Sequence, residues 1–342
     1  MKPHREQEAA FYEPESSGRL TCGLCPHQCV IAPGRWGRCK TRRNVDGILT
    51  VPSYSRLLAG ASDPVEKKPL FHFRPGSHTF SIASAGCNLR CPFCQNHHLS
   101  QPDDVWNFSA APPVSPETIA RSAAESGATS ISFTYSEPIL MFELARDTAI
   151  FAAEAGLDLV FVTNGQASEQ AAAEIGGFIR AANVDLKCFS EDKYRRILDG
   201  ELNSTLRTLE LWHQKGVWVE VTTLLVPGFN DSDGEIQEIA RFIAGIDPNI
   251  PWHVSRFHPD YQWHHLPATP KEKILRAREI GLAEGLRFVY TGNLHGAAGE
   301  DTRCPSCSAP VIERRGFSVR RTALTDGRCD NCGENIAGVG LP

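Results

Sequence analysis

Short apolar segments alternate with helical segments from residue 79 to about residue 292, and this alternation limits the fold more than any other feature of the sequence. Seven of the apolar segments have the length of buried strands: residues 79–84, 129–134, 157–163, 182–187, 217–226, 252–257 and 287–291. Strands that alternate with helices favour a parallel sheet whose strands are joined by crossover helices. The pattern therefore predicts an α/β fold, built as a closed or partial β/α barrel over residues 79–300.

Polar or conformationally special residues follow five of the predicted strands. They occupy the segments 134–138, 163–165, 185–188, 227–228 and 258–259. In β/α barrels, functional groups gather on the loops beyond the C-terminal ends of the strands. The sequence therefore predicts one site at one end of the sheet.

Three cysteines directly follow the first predicted strand, in residues 84–96, which we call the central cysteine loop. Cys87, Cys91 and Cys94 have the spacing C-x3-C-x2-C. Iron–sulfur clusters are usually held by four thiolates, and structural zinc also prefers four ligands. Three ligands therefore indicate a metal centre with one open position for a cofactor or substrate. Gly86 supports this interpretation because it lets the backbone approach a cluster closely; the alternative is a set of buried or disulfide-forming cysteines.

The other cysteines are also grouped. Of the 12 cysteines in the chain, four lie in residues 22–39, four in residues 304–332 and one at position 188. In a reducing compartment, clustered C-x2-C pairs indicate metal sites rather than disulfides. Cys188 has no partner in the sequence and is more typical of a small buried residue.

The first group, which we call the N-terminal cysteine set, has the spacing C-x2-C-x3-C-x9-C within a predicted module of residues 16–50. It consists of Cys22, Cys25, Cys29 and Cys39. Four thiolates are enough for a tetrahedral site, so structural zinc is the plainest interpretation. A second iron–sulfur cluster and a redox-active set of thiols remain open alternatives, and His27 could replace a cysteine as ligand.

The last group, which we call the tail cysteine set, lies in the C-terminal tail, residues 301–342. It consists of Cys304, Cys307, Cys329 and Cys332. Its two C-x2-C pairs are separated by 21 residues that contain a predicted hairpin, with strands at 309–312 and 317–322. This arrangement is typical of a zinc ribbon, in which zinc supplies the folding energy that so small a module lacks.

Size and composition fit one large domain with small appendages. Residues 1–15 are expected to be a flexible terminus, and residues 51–78 an extended connector that is either a plain linker or a cover over the cluster. The 342 residues are 41% hydrophobic and 22% charged, as in soluble globular proteins. A net charge of -5 gives no electrostatic case for nucleic acid. Without a long apolar run or a signal peptide, we expect a cytoplasmic protein that does not enter a membrane.

The central cysteine loop resembles the cluster motif of the radical S-adenosylmethionine (radical SAM) enzymes. In that motif an aromatic residue precedes the third cysteine, as Phe93 does here, which makes Phe93 a candidate for cofactor contact. The resemblance implies a 4Fe-4S cluster on Cys87, Cys91 and Cys94, with its unique iron chelated by the methionine part of SAM. It also implies reductive cleavage of SAM to a 5'-deoxyadenosyl radical that abstracts a hydrogen atom.

The same resemblance implies SAM contacts at the strand ends. Residues 135–138 look like a variant of the family's Gly-Gly-Glu-like segment without its glycines, so Glu137 is a candidate for the SAM amino group; the alternative is a helix N-cap. Asp185 and Lys187 are similar to an Asp-x-Lys near the SAM carboxylate in glycyl-radical-activating enzymes; the alternative is an internal ion pair. His258 is similar to a histidine that faces the adenine in related activating enzymes; the alternative is a capping or surface histidine.

Two more polar residues at strand ends, Asn164 and Thr222, are candidates for cofactor contact. Polar residues at such positions also commonly satisfy backbone groups, which is their alternative role.

Nearly the whole chain resembles the radical SAM member of the AmmeMemoRadiSam group, which is related to the pyruvate formate-lyase activating enzymes. The resemblance rests on residues 22–39, 63–70 and 255–259, the central cysteine loop and the C-terminal tail. It implies a partial (β/α)6-type radical SAM barrel with an N-terminal Cys-rich module and a C-terminal zinc ribbon. It also implies an electron donor such as flavodoxin or ferredoxin, and association with Memo-like and AMMECR1-like proteins.

The central cysteine loop departs from the activating enzymes, which typically have tryptophan before the third cysteine and Asn-Pro-Glu after it. This chain has Phe93 and then Gln95, Asn96 and His97. Activation of a glycyl radical enzyme therefore remains an alternative to hydrogen abstraction from an unknown protein or small-molecule substrate. The opposing class is a non-catalytic zinc-binding interaction protein.

Overall fold

The computed structural model describes residues 6–101, 111–294 and 299–342. Six short strands open the chain: β1 (Gln7–Glu8), β2 (Tyr12–Pro14), β3 (Leu20–Cys22), β4 (Val30–Ile31), β5 (Arg43–Val45) and β6 (Ile48–Val51). Strands β1, β6 and β5 form one antiparallel sheet, and β2, β3 and β4 form another. Residues 6–15 thus differ from the expected flexible terminus, because β1 and β2 are ordered by ladder hydrogen bonds to β6 and β3. Residues 1–5 of that terminus lie outside the described residues.

A central sheet of eight strands dominates the fold. Its strands are β7 (Ala59–Pro64), β8 (His78–Ala83), β9 (Ser130–Phe133), β10 (Asp158–Thr163), β11 (Ala181–Asp185), β12 (Trp218–Leu225), β13 (Trp252–Arg256) and β14 (Val289–Gly292). They follow chain order across the sheet, from β7 at one edge to β14 at the other. Strands β8 to β14 are parallel, and β7 runs antiparallel to β8. All seven predicted strands are present, which confirms an α/β fold with a central parallel sheet.

Helices connect the parallel strands and pack against the sheet. They are α1 (His97–Ser100), α2 (Pro116–Glu125), α3 (Phe142–Glu154), α4 (Glu169–Ile175), α5 (Glu191–Lys193), α6 (Leu202–Gln214), α7 (Asp233–Ile246) and α8 (Lys271–Ala283). Serine side chains cap four of them, namely Ser115, Ser168, Ser190 and Ser232, which accept hydrogen bonds from the first turns of α2, α4, α5 and α7. In the core between the layers, Trp212 of α6 packs on Phe161 of β10. Within the described residues, none of the helices combines the length and apolarity needed to cross a membrane.

The segment between β7 and β8, residues 65–77, is hydrogen-bonded to the central sheet. Asn183 of β11 donates to Pro69 O (2.7 Å), and Glu220 of β12 accepts from the backbone N–H groups of Phe71 and His72 (2.9 and 2.8 Å). Since side chains alternate along a strand, Asn183 and Glu220 lie on the same face as Asp185 and Thr222, which belong to the candidate site. The predicted connector therefore contains an edge strand, β7, and a segment bound to the functional face of the sheet.

The C-terminal tail forms β15 (Thr302–Arg303), β16 (Pro310–Arg315), β17 (Ser318–Thr322), β18 (Leu324–Thr325) and β19 (Arg328–Cys329). Strands β16 and β17 form the predicted hairpin. The tail packs on the main domain through Arg314, whose guanidinium donates to Phe71 O (2.6 Å) and lies 4.3 Å from the Phe71 ring. The tail therefore rests on the same 65–77 segment that contacts the central sheet.

Candidate active site

The three cysteines of the central cysteine loop open into one cavity of about 310 Å³, which we call the central cavity. Its walls come mainly from the loops after β8 to β14, together with residues 66–71 and Phe317. The cavity is also lined by six residues that were predicted from the sequence to contact a cofactor: Phe93, Glu137, Asn164, Asp185, Lys187 and Thr222. His258 lies outside this lining, with its ring 3.1 Å from the amide nitrogen of Gln95, which does line the cavity. A cavity of this size suits a small-molecule cofactor.

Gly86 allows the central cysteine loop to pack closely against the N-terminal part of the chain. Its φ is +99°, and a Cβ atom there would collide with Thr41 Cγ2 and lie 2.8 Å from Cys39 O. Burial raises the pKa of Cys87, and raises that of Cys91 to about 12. These thiols therefore stay neutral until a metal ion replaces the proton.

The spacing of the three thiols fits a polynuclear cluster better than a single ion. A zinc ion with Zn–S distances of about 2.3 Å in a tetrahedron would hold its sulfurs roughly 3.8 Å apart. Within the described parts of the chain, the tail cysteine set alone brings three or more ligand atoms within 4.8 Å of one another. Cys87, Cys91 and Cys94 are spread more widely around one cavity, as expected if each thiolate binds a different iron. The donor set therefore fits a 4Fe-4S cluster.

Glu137 follows β9 and is buried. Its carboxylate accepts hydrogen bonds from Thr163 Oγ1 (2.6 Å), Ile139 N (3.0 Å) and Asn164 N (2.9 Å). The bond from Ile139 caps a 3-10 turn, Pro138–Met141, so the helix-cap alternative is observed. Burial raises the pKa of Glu137 to about 7, although these hydrogen bonds lower it. Because the carboxylate also lines the central cavity, capping and ligand contact are compatible.

Asp185 and Lys187 form an ion pair at the end of β11, with Lys187 Nζ 2.7 Å from Asp185 Oδ2. The internal ion pair expected as the alternative is thus observed, and both residues also line the central cavity. Burial lowers the pKa of Lys187, but the charge of Asp185 and the hydrogen bond to its carboxylate outweigh burial and hold this pKa above its usual value. With this raised pKa, Lys187 is a cation beside the cysteines. Its ammonium group has three donors, and the ion pair uses one of them.

Asn164 and Thr222 differ in how their polar groups are satisfied. Asn164 Nδ2 donates to Asn88 Oδ1 (2.9 Å) and lies 3.5 Å from Cys87 Sγ, so it fastens the loop after β10 to the central cysteine loop. Thr222 Oγ1 is buried and has no hydrogen-bond partner among the described residues. An unpaired buried hydroxyl costs about 1–3 kcal/mol. A polar ligand group in the central cavity would remove this cost.

Sequence reasoning missed the polar group behind Tyr135, a residue that lines the central cavity with a φ of +68°. Its hydroxyl donates to Asp63 Oδ2 (2.7 Å), which also accepts from the buried Lys68 (2.8 Å). Burial raises the pKa of Asp63, but hydrogen bonds from Lys67, Lys68 and Tyr135 outweigh burial and hold it well below its usual range. The acidic and basic residues of segment 63–68 were visible in the sequence, whereas their contact with Tyr135 depends on the pairing of β7 with β8.

The tail cysteine set is compact. Cys304 Sγ lies 3.5 Å from Cys332 Sγ, and Cys307 Sγ lies 3.7 Å from Cys329 Sγ. All four sulfurs are within 4.8 Å of one another, which is the spacing that a single tetrahedral ion requires.

The N-terminal cysteine set lines a second, smaller cavity, together with His27, Arg42 and Asn88. One ring nitrogen of His27 lies 2.7 Å from Asn88 O, so this imidazole is engaged with the central cysteine loop. None of the twelve cysteines, all of which lie in the described residues, forms a disulfide.

Comparison with known proteins identifies the domain that carries the central cavity. Residues 81–243 match the family model of the Radical SAM superfamily. An uncharacterized protein of Methanocaldococcus jannaschii is 38% identical over 335 residues, which cover 96% of this chain and 98% of the relative. A second protein of that organism, provisionally named a glycyl-radical enzyme activating enzyme, is 29% identical over 207 residues, or 57% of this chain and 80% of the relative.

Among solved structures, Streptococcus suis SuiB bound to S-adenosylmethionine is similar with a TM-score of 0.50 and 17% identity. The match covers 68% of this chain and 53% of SuiB, so the chain spans about half the length of that protein. At this identity the likeness concerns the fold alone, and that fold agrees with the family match over the central sheet. Since this match includes the central cysteine loop, the chain carries a domain of the radical SAM superfamily over residues 81–243.

Proposed function

We propose that the protein is a radical SAM enzyme that holds a 4Fe-4S cluster on Cys87, Cys91 and Cys94 and binds SAM in the central cavity. The observation that carries this proposal is that three widely spaced thiols and a set of complementary polar groups face the same cavity. When bound, the reduced cluster supplies the electron that cleaves SAM to methionine and a 5'-deoxyadenosyl radical, which abstracts a hydrogen atom from the substrate.

The polar groups of the central cavity match the charges of the amino-acid part of SAM. Glu137 offers a carboxylate to the ammonium group, and Lys187 offers an ammonium to the carboxylate. The unpaired hydroxyl of Thr222 supplies another donor on the same wall. Phe93 and Asn164 hold the loop side of the cavity, and we place the adenine toward His258 and Gln95 at the rim.

We further propose that the central sheet is a partial (β/α)6-type barrel over residues 79–300. The N-terminal module (16–50), the connector (51–78) and the tail (301–342) would surround it, with the tail forming a zinc ribbon on the tail cysteine set. The resemblance to the AmmeMemoRadiSam group supports Memo-like and AMMECR1-like proteins as partners and a flavodoxin or ferredoxin as electron donor. We place the protein in the cytoplasm.

One observation favours a second candidate function, the activation of a glycyl radical enzyme. The relative provisionally named as such an activating enzyme covers 57% of the chain. The residues after Cys94 differ from those activating enzymes, so the substrate class stays open between a protein and a small molecule. A non-catalytic zinc protein is the competing class.

The experiment that tests the proposal measures products and metals together. Anaerobically reconstituted protein, reduced with dithionite and mixed with SAM, should release 5'-deoxyadenosine and methionine. Cys91→Ala should lose about four irons and this activity. Cys188→Ala removes a buried thiol outside all three cysteine sets and is the matched control, which should keep both. If wild-type protein with a full complement of iron never cleaves SAM, the proposal is wrong.

A further inference from the structure

We propose that the N-terminal cysteine set holds a second iron–sulfur cluster rather than a zinc ion. Four thiols, from Cys22 at the end of β3 and from Cys25, Cys29 and Cys39 in the following loops, line one enclosed cavity. Four thiolates are the usual ligand set of both a 4Fe-4S cluster and a structural zinc ion. The number of ligands therefore leaves both open, and their spacing and surroundings decide between the two.

The tail cysteine set provides an internal standard for the spacing. Its sulfurs lie as close as 3.5 and 3.7 Å, near the roughly 3.8 Å expected around one zinc ion. Among the residues that the structure describes, no three ligand atoms of the N-terminal cysteine set and His27 come within 4.8 Å of one another. The same chain thus builds one compact set and one wide set. The wide set lines a cavity of about 10 Å³, and its thiols are spaced more widely than a single zinc ion requires.

Arg42 gives a second, independent indication. Its side chain is fully buried, lines the cavity of the N-terminal cysteine set and forms an ion pair with Glu143 at 2.8 Å. Arg42 Nε is buried without a hydrogen-bond partner among the described residues. An unpaired buried donor next to four thiols matches an anionic cluster with bridging sulfides, which accept hydrogen bonds from such groups.

The N-terminal cavity borders the central cysteine loop. Asn88, the residue after Cys87, lines it and accepts a contact from His27 through its carbonyl oxygen (2.7 Å). On the other side, the closeness of Cys39 O to Gly86 leaves no room for a side chain. If the proposed function holds, two clusters therefore lie on opposite sides of one loop. Their unpaired electrons should interact when both are reduced.

Metal analysis of cysteine variants tests the proposal on the full chain, purified without oxygen. Wild-type protein should contain about eight irons and one zinc per chain. Cys25→Ala should lose about four irons and keep the zinc, whereas Cys304→Ala with Cys329→Ala should lose the zinc and keep the irons. A second zinc in the wild type that disappears in Cys25→Ala, or an iron content unchanged by Cys25→Ala, would overturn the proposal.

A second variant covers the case in which Cys25→Ala does not fold. Protein with Cys87, Cys91 and Cys94 all replaced by alanine keeps the N-terminal cysteine set, so it should retain about four irons, an equal amount of sulfide and an electron paramagnetic resonance signal after reduction. Iron-free protein from this triple variant would refute the second cluster. Failure of SAM cleavage in the wild type would instead refute only the proposed function.

The spectrum of the fully reduced wild type tests the placement of the two centres. It should be broader than the sum of the spectra of the triple variant and of Cys25→Ala, because neighbouring paramagnetic centres interact. A wild-type spectrum equal to that sum would place the second cluster elsewhere and contradict the assignment to the N-terminal cysteine set.

Discussion

At the scale of single residues, Gly86 is the position where backbone geometry restricts the site most. It precedes Cys87, has a φ of +99° and lies against Thr41 and the carbonyl oxygen of Cys39. Any side chain would meet both a disfavoured backbone conformation and a collision with the N-terminal part of the chain. The two cysteine loops can therefore touch only because this residue is glycine.

We expect Gly86→Ala to lower the free energy of unfolding by about 2–4 kcal/mol, as the sum of backbone strain and overpacking. Gly156→Ala is the matched control, because Gly156 also has a positive φ (+67°) but no atom within 4 Å of the added Cβ. Its cost should be about 1 kcal/mol. Chemical denaturation of the metal-free proteins measures both. Equal losses of unfolding free energy in the two variants would show that the contact with Thr41 and Cys39 adds nothing to the cost of Gly86→Ala.

The raised pKa of Glu137 predicts a pH dependence of SAM binding. A cationic ligand favours the ionised carboxylate, so binding at a pH below about 7 requires the loss of a proton from Glu137. The affinity for SAM should therefore be highest above pH 7. Below pH 7 it should fall by up to about tenfold for each unit by which the pH decreases. The measurement is the SAM dissociation constant of cluster-loaded wild type and Glu137→Gln between pH 5 and 8.

The ratio of the SAM affinity of the wild type to that of Glu137→Gln isolates the effect of the carboxylate, since titration of SAM itself affects both proteins equally. We expect this ratio to rise from pH 5 to pH 7 and then to level off, while iron content stays constant in both. A ratio that does not change with pH would remove Glu137 from the ammonium site.

Residue spacing was enough to predict that the three central cysteines and the residues at the strand ends lie close together, because the C-terminal ends of parallel strands meet at one edge of the sheet. The roles of the individual strand-end residues were harder to predict. Glu137 and the Asp185–Lys187 pair form the cap and the ion pair that were considered as alternatives, and they also line the central cavity. Tyr135 was missed because its partners, Asp63 and Lys68, come from a distant segment.

At the scale of elements, the alternation of strands and helices was sufficient for seven strands of the central sheet. Strand β7 was missed because it lies in a segment whose prolines and glycines are typical of a linker, and because its order comes from pairing with β8. The 65–77 segment was missed for a related reason. Its backbone groups are satisfied by Asn183 and Glu220, which are about 110 to 150 residues away in the sequence.

Glu220 is the side chain that holds this segment to the sheet. It is buried and accepts hydrogen bonds from Phe71 N, His72 N, His253 Nε2 (2.7 Å) and Trp218 Nε1 (3.0 Å). Glu220→Gln keeps the shape of the side chain but turns an amide NH2 toward these donors. The free energy of unfolding should therefore fall by about 2–4 kcal/mol. Hydrogen exchange should rise in residues 65–77.

The matched control for that substitution is Glu313→Gln. Glu313 pairs with Arg321 at 3.3 Å on the surface of the tail, where an ion pair contributes at most about 1 kcal/mol. Chemical denaturation compares the two variants. If both substitutions lower the free energy of unfolding by the same amount, the buried carboxylate of Glu220 does not hold residues 65–77 to the sheet.

At the scale of the whole molecule, the 65–77 segment lies between the central sheet and the C-terminal tail. From the tail side, Ala337 O accepts from His72 Nδ1 (2.7 Å), Val339 N donates to His72 O (2.8 Å) and Arg314 donates to Phe71 O. His72 also bonds to Tyr290 of β14, at 2.5 Å. Because Phe71 lines the central cavity, these hydrogen bonds connect the tail to one wall of the candidate active site.

Loss of the proposed zinc should therefore affect more than the tail. In Cys304→Ala with Cys329→Ala, the tail would lose the proposed zinc ion, and its contacts with Phe71 and His72 should weaken. We expect hydrogen exchange to increase in residues 301–342 and, to a smaller extent, in residues 65–77, while iron on the central cysteine loop is retained. Cys188→Ala, which removes a buried thiol without a metal, should leave exchange in both segments unchanged. Full protection of residues 65–77 beside an exchanging tail would mean that the central sheet alone orders this wall, with Glu220 as its main anchor.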